Sequence, residues 1–287
     1  MLQVARLSPR QLGEARDLVH QFLLDQRHPD GGFRDRAGQN DLYYTVFGLE
    51  ALIALQADLP VDETAAYLDT FGDGGTLDFV HAACLARAWA ALARPPGAAR
   101  RDAIAARIES FRSPDGGYHP ASDAETGSVY GAFLALGAYQ DLQIPLPRPD
   151  RVLASLAPLR ADDGGYANFP ESDVGLTATT AAVVTIHRQL RQPLDGAYGE
   201  WLLARHHAQG GFTAAPTVPI PDLLSTATAL HALATLQMPI ASIQESCLDF
   251  LDTLWTNRGG FHGMWTDDEV DCEYTFYGLL ALGHLSL

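Results

Sequence analysis

The sequence has no lysine. All 19 of its basic residues are arginine, set against 35 aspartates and glutamates, for a formal net charge of −16. Without basic runs or basic residues interleaved with aromatics, it lacks the clustered cations that neutralise a phosphate backbone, and nucleic-acid binding is not expected. The same shortage argues against electrostatic adhesion to anionic lipid. Cysteine is scarce: Cys84, Cys247 and Cys272 are odd in number and far apart, unlike a disulfide framework. No uninterrupted apolar run reaches the roughly 18 residues of a transmembrane helix, so no membrane span is expected. The opening MLQVARLSPRQLGEARD has no apolar h-region, so a secretory signal is not expected either, and the default location is cytoplasmic. Nucleophile-elbow, phosphate-loop and dinucleotide glycine motifs are also missing.

What is present is a repeat. Gly-Gly followed by an aromatic recurs at Gly31-Gly32-Phe33, Gly116-Gly117-Tyr118, Gly164-Gly165-Tyr166, Gly210-Gly211-Phe212 and Gly259-Gly260-Phe261, with a degenerate copy at Gly74-Gly75-Thr76. The second glycines, at 32, 75, 117, 165, 211 and 260, are spaced by 43, 42, 48, 46 and 49 residues. Six such units consume the 287 residues as one domain. Segments before the glycines are amphipathic, as in 9–27 and 241–255, whereas those after them are almost free of charge, as in 223–238 and 274–287. A helix apolar nearly all round is buried and one with a polar face is peripheral. Twelve helices in six hairpins therefore predict an all-α (α/α)6 toroid, an inner barrel within an outer ring, with an open superhelix as the alternative.

The PDGGF, PDGGY, DDGGY, QGGF and RGGF turns, with the helix starts DLYYTVFGLEAL (41–52) and DCEYTFYGLLAL (271–282), resemble the prenyltransferase β-subunit and squalene/terpenoid cyclase superfamily over the whole chain. That resemblance implies a central, aromatic-lined cavity for an isoprenoid. Tyr43, Tyr44, Phe47, Trp89, Tyr130, Phe133, Tyr274 and Tyr277 are the candidates to line it, with passive packing as the alternative for each.

The chemistry of that superfamily is only partly matched. Its protein prenyltransferases hold zinc with Asp, Cys and His; the corresponding Asp-x-Cys reads Asp222-Leu223-Leu224, and the histidine position is Tyr274. With two of three ligands missing, zinc is not expected. The diphosphate-gripping Arg and Lys have no counterpart in 212–224. Class II cyclases use Asp-x-Asp-Asp, but the later aspartates are Leu224 and Ser225, and 173–176 fails likewise. The prenyltransferases pair with a separate helical subunit, so a partner protein is conceivable.

The last repeat carries five carboxylates in seven residues, Asp267, Asp268, Glu269, Asp271 and Glu273. Three readings stand: a solvated acidic loop ending in a helix cap, a Mg²⁺ site on Asp267, Asp268 and Asp271, or an acid–base pair of Asp271 and Glu273. Asp222, the aspartate retained from the zinc motif, is the third catalytic candidate. Asp41, Glu125, Asp173, Asp222 and Asp271, with His81 in the second repeat, share one register that would ring a barrel mouth, or simply cap helices. A displaced zinc site from Cys272, Asp271, His262 and His284 fits no compact ligand spacing. His187 and His231 fall on inner helices, and His206-His207 are read as finishing an outer one. The resulting expectation is an isoprenoid-processing, prenyltransferase-like or cyclase-like protein; the alternatives are a non-catalytic toroid holding an isoprenoid or a protein, and an (α/α)6 carbohydrate-active enzyme using two carboxylates.

Overall fold

The computed structural model describes residues 1–287. The chain folds into helices α1 (Leu2–Ala5), α2 (Pro9–Leu12), α3 (Arg16–Asp25), α4 (Leu42–Ala54), α5 (Val61–Asp69), α6 (Phe79–Ala91), α7 (Ala98–Glu109), α8 (Val129–Asp141), α9 (Pro149–Leu156), α10 (Thr177–Gln189), α11 (Gly196–Leu203), α12 (Leu223–Thr235), α13 (Gln244–Leu254) and α14 (Cys272–His284). The strands are two antiparallel pairs, β1 (Phe33–Arg34) with β2 (Asn40–Asp41) and β3 (Phe212–Thr213) with β4 (Pro221–Asp222).

The six charge-poor segments become α4, α6, α8, α10, α12 and α14. Each packs on the next, and α14 closes on α4, so the ring is shut and the open superhelix is excluded. The outer ring is α3, α5, α7, α9, α11 and α13. Its helices are one-sided: α13 buries Cys247, Phe250, Leu251 and Leu254, the spacing of a single helical face, and turns Glu245, Asp249 and Asp252 to water. The segment 9–27 is not one helix. Gly13 sits at φ 51° and divides it into α2, a 3₁₀ turn and α3.

The repeat motif has a specific mechanical role. Gly31 lies at φ 103°, a conformation L side chains rarely adopt, and Gly32 is needed for space, because a Cβ there would lie 2.0 Å from Asn40 Oδ1. The chain then reverses so that Phe33 bridges Arg27 and inserts, fully buried, between the rings. The Phe33 N–H donates to Thr45 Oγ1 (2.9 Å), whose hydroxyl donates to the Asp41 carbonyl (2.6 Å). The pin recurs at Thr226 with Phe212 and Asp222, and at Thr275 with Phe261 and Asp271. Bridges recur at Tyr118, Tyr166, Phe212 and Phe261, but not in the degenerate second repeat, which lacks the aromatic.

One end of the barrel is covered. Helix α1 crosses the C-terminal ends of the inner ring against α14 and α4, so closely that a Cβ at Gly283 would lie 2.2 Å from the Val4 carbonyl oxygen. The opposite end, where the inner helices start, is the mouth. No helix is long and apolar enough to cross a membrane.

Candidate functional site

Helix starts converge on the mouth, and capping dictates which side chains arrive there. Asp41, Asp78, Ser128, Asp222 and Asp271 each accept the backbone N–H three residues on, at 2.7–3.0 Å. This corrects the expected register. Asp78, not His81, caps α6, while Glu125 and Asp173 lie on exposed loops ahead of the caps Ser128 and Leu176. His81 Nδ1 lies 2.8 Å from Asp78 and Nε2 3.6 Å from Asp41. The Asp41 carboxylate first, and then the hydrogen-bonded Asp78, raise the imidazole to about 9, so it is an imidazolium at neutral pH.

The three carboxylates singled out from the sequence have different fates. Asp222 uses both oxygens as a cap, accepting Ser225 N–H and Ser225 Oγ–H at 2.7 Å each. Asp271, almost fully buried, caps α14 with Oδ1 (2.8 Å from Tyr274 N) and receives the Arg36 Nε–H on Oδ2 (2.7 Å). Burial raises both carboxyls from their ordinary value. Glu273 alone keeps an oxygen without a protein partner. Its Oε1 accepts the Tyr43 hydroxyl at 2.7 Å, and burial pushes its carboxyl up to about 6, against the opposing pull of that hydrogen bond.

Arg36 decides the fate of the acidic run. It lies in the β1–β2 turn of the first hairpin, reaches the last hairpin, bonds Asp267 at 2.9 and 3.3 Å as well as Asp271, and rests on the Tyr274 ring at 5.4 Å. Its guanidinium lies between Asp267 and Asp271, while Asp268 lines an outer groove together with Arg34, Arg36 and Arg258. The expected Mg²⁺ set of Asp267, Asp268 and Asp271 is therefore not gathered, and nowhere in the chain do three His, Cys, Asp or Glu side chains converge to hold a metal. The displaced zinc set is scattered too. His262 bonds the Glu269 carbonyl, Cys272 is fully buried, and His284 pairs with His231 at the opposite end of the barrel, Nε2 to Nδ1 3.1 Å. His187 packs on Tyr198 of the outer ring, and His206-His207 lie beyond the end of α11.

Four of the eight aromatics lie close to one another on the inner helices. Tyr43 contacts Phe47 edge-on (4.9 Å), and Phe47 contacts Tyr277 (5.6 Å) on α14. Tyr43 and Tyr277 both lie in electrostatic reach of Tyr130, on the helix diametrically opposite α14. That reach across the ring is the arrangement expected of side chains around a central lumen. Tyr44 flanks Tyr43 at the rim, and Tyr274 serves as the platform for Arg36. Trp89 is a correction: it points to the outer ring, where the Arg100 guanidinium covers it at 5.6 Å. Phe133 packs, half-buried, against the core.

Sequence reasoning missed Arg36 and three charges deeper in the barrel. Glu50, on α4, and Arg87, at the matching position of α6, form a bidentate pair at 2.5 and 2.8 Å. Asp141, at the end of α8, lies in the field of both, with burial pushing its carboxyl up to about 6. A signal was available, since each is the lone carboxylate or arginine inside its inner helix.

Residues 7–85, 83–194 and 187–286 match the prenyltransferase alpha-alpha toroid domain, and the chain belongs to that family. No curated protein matches it in sequence. Among solved structures, it is similar to a type II terpene cyclase variant from Scytonema in complex with its product, merosterolic acid A (15% identity, TM-score 0.65, 97% of each chain). It is also similar to the geranylgeranyltransferase-I of Candida albicans complexed with GGPP (12% identity, TM-score 0.51, 89% of this chain and 72% of that one). A D-mannose isomerase superposes as well as the cyclase does (12% identity, TM-score 0.65, 97% and 98%). At these identities the likeness establishes the fold alone.

Proposed function

We propose that this toroid binds an isoprenoid with its hydrocarbon chain in the lumen, and that Glu273, positioned by Tyr43, exchanges a proton with it at the mouth. The observation that carries the reading is the Glu273–Tyr43 hydrogen bond above the Phe47–Tyr277 contact. A carboxyl raised to about 6 is partly protonated near neutrality, and the Tyr43 hydroxyl stabilises the carboxylate left when the proton departs. Asp271 and Asp222 act as helix caps that hold the mouth in shape, and Asp271 also anchors Arg36. The family match and the cyclase and transferase neighbours support an isoprenoid over other apolar ligands.

The test has two parts. Native mass spectrometry with geranyl, farnesyl and geranylgeranyl alcohols and diphosphates should show a retained one-to-one complex. Turnover of any retained compound should fall by about 10²-fold or more in Glu273→Gln, in line with loss of a general acid or base. Retention of none of these compounds, or turnover that Glu273→Gln leaves unchanged, would overturn the reading. A second reading, a polyhydroxylated ligand, is favoured by the charged Glu50–Arg87 pair and by the D-mannose isomerase likeness. Binding of D-mannose in place of every prenyl compound would select it.

A further inference from the structure

From the charged girdle inside the barrel we infer that the lumen ligand carries a hydroxyl or carbonyl at its inner end, bound by Arg87 and Asp141. This rests on the proposed isoprenoid reading and deepens it.

The inner helices contribute matching positions to the lumen. Two helical turns below the mouth position held by Tyr43 and Glu273 comes the level of Glu50 and Arg87, a descent of about 10 Å. Gly137 holds that level on α8, where a Cβ would meet no atom within 4 Å, so the space beside the pair is open. Arg87 is 32% accessible although it lies on the inner ring, whereas its partner Glu50 is 5% accessible. Both Glu50 oxygens and two of the three guanidinium nitrogens are consumed by the pair, which leaves Arg87 Nη1 free. Asp141 makes no side-chain hydrogen bond, yet it lies in the field of the pair. A free donor and a free acceptor thus remain at the bottom of an aromatic-walled slot. A bare hydrocarbon end would strip their hydration and return nothing. A hydroxyl can accept from Arg87 and donate to Asp141, and a carbonyl can accept from Arg87. The Met1 ammonium lies in the field of the same pair and adds a second cation at this end of the barrel.

The depth suits a short chain, so the probe pair is geranyl methyl ether and the same ether hydroxylated at its far terminal carbon, both titrated into the intact protein by calorimetry. The blocked head leaves the far hydroxyl as the only difference. We expect the hydroxylated ether to bind at least about fivefold more tightly, the scale of one net hydrogen bond. The preference should vanish in Asp141→Leu, and also in the double variant Glu50→Leu/Arg87→Met, which removes both members of the pair together. Equal affinity of the two ethers for the wild-type protein would overturn this inference while sparing the isoprenoid reading. Binding of neither ether while a prenyl alcohol or diphosphate is retained would overturn this inference alone; binding of neither ether and retention of no prenyl compound would defeat both. A preference that persists in both variants, each shown folded by circular dichroism, would place the recognition elsewhere and also overturn it.

Discussion

Replacing Arg87 with Met should be the most damaging single change in the barrel wall. It leaves the Glu50 carboxylate, 5% accessible, without the two bonds at 2.5 and 2.8 Å that balance its burial. Stranding one member of a buried ion pair costs about 3–5 kcal/mol. Because Arg87 opens partly onto the lumen, where water can replace some of what it supplies, the lower end, about 3 kcal/mol, is expected. Against a total of about 5–15 kcal/mol for a folded domain, that is a fifth to more than half of the stability. Removing both charges in Glu50→Leu/Arg87→Met should recover most of the loss, since an ion pair replaced by well-packed apolar side chains is often neutral or stabilising. Urea unfolding of wild type, both single variants and the double variant at neutral pH, followed by circular dichroism, gives the cycle directly. A loss below about 1 kcal/mol for Arg87→Met would mean that lumen water satisfies Glu50 unaided, and a double variant as unstable as Arg87→Met would show that the cost is steric; either result refutes the reasoning.

Three further outcomes follow from the same structure. Glu273 is raised from its ordinary 4.5 to about 6, so the native state holds this proton more tightly than the unfolded chain does; the group costs nothing below pH 4.5 and about 2 kcal/mol above pH 6, and Glu273→Gln should flatten that part of the stability–pH curve, with an unchanged slope counting against a buried carboxyl. His81 is raised from 6.5 to about 9 by Asp41 and Asp78, so its stabilising contribution is complete below pH 6.5 and disappears as pH rises through 9; an imidazole titrating near 6.5 in an NMR pH series would show that these contacts do not form in solution. Thr226→Val removes the hydroxyl that accepts from Phe212 N–H and donates to the Asp222 carbonyl, and thermal unfolding should report a loss of about 1–3 kcal/mol, whereas a change within 0.5 kcal/mol, roughly the range of a neutral surface substitution, would mean that water replaces the pin.

The sequence by itself determined the architecture, because the information is local and repeated six times. Glycine pairs set where each hairpin turns, and the contrast between charge-poor and amphipathic segments sorts helices into two layers, while the packing of α14 on α4 is what excludes the open superhelix. Asp41, Asp222 and Asp271 were legible as caps for the same local reason.

The chemistry of the mouth was decided only in three dimensions. Asp267, Asp268 and Asp271 read as a metal string until Arg36, more than two hundred residues away, is seen between two of them. Trp89 looked like a cavity aromatic because a helix buried all round gives no sign of which face meets the lumen. Glu50, Arg87 and Asp141 come from three different repeats, and their meaning lies in mutual distance. A repeat encodes the wall of the barrel many times over, but each occupant of its interior is encoded once, and closing the ring is what brings those single residues together.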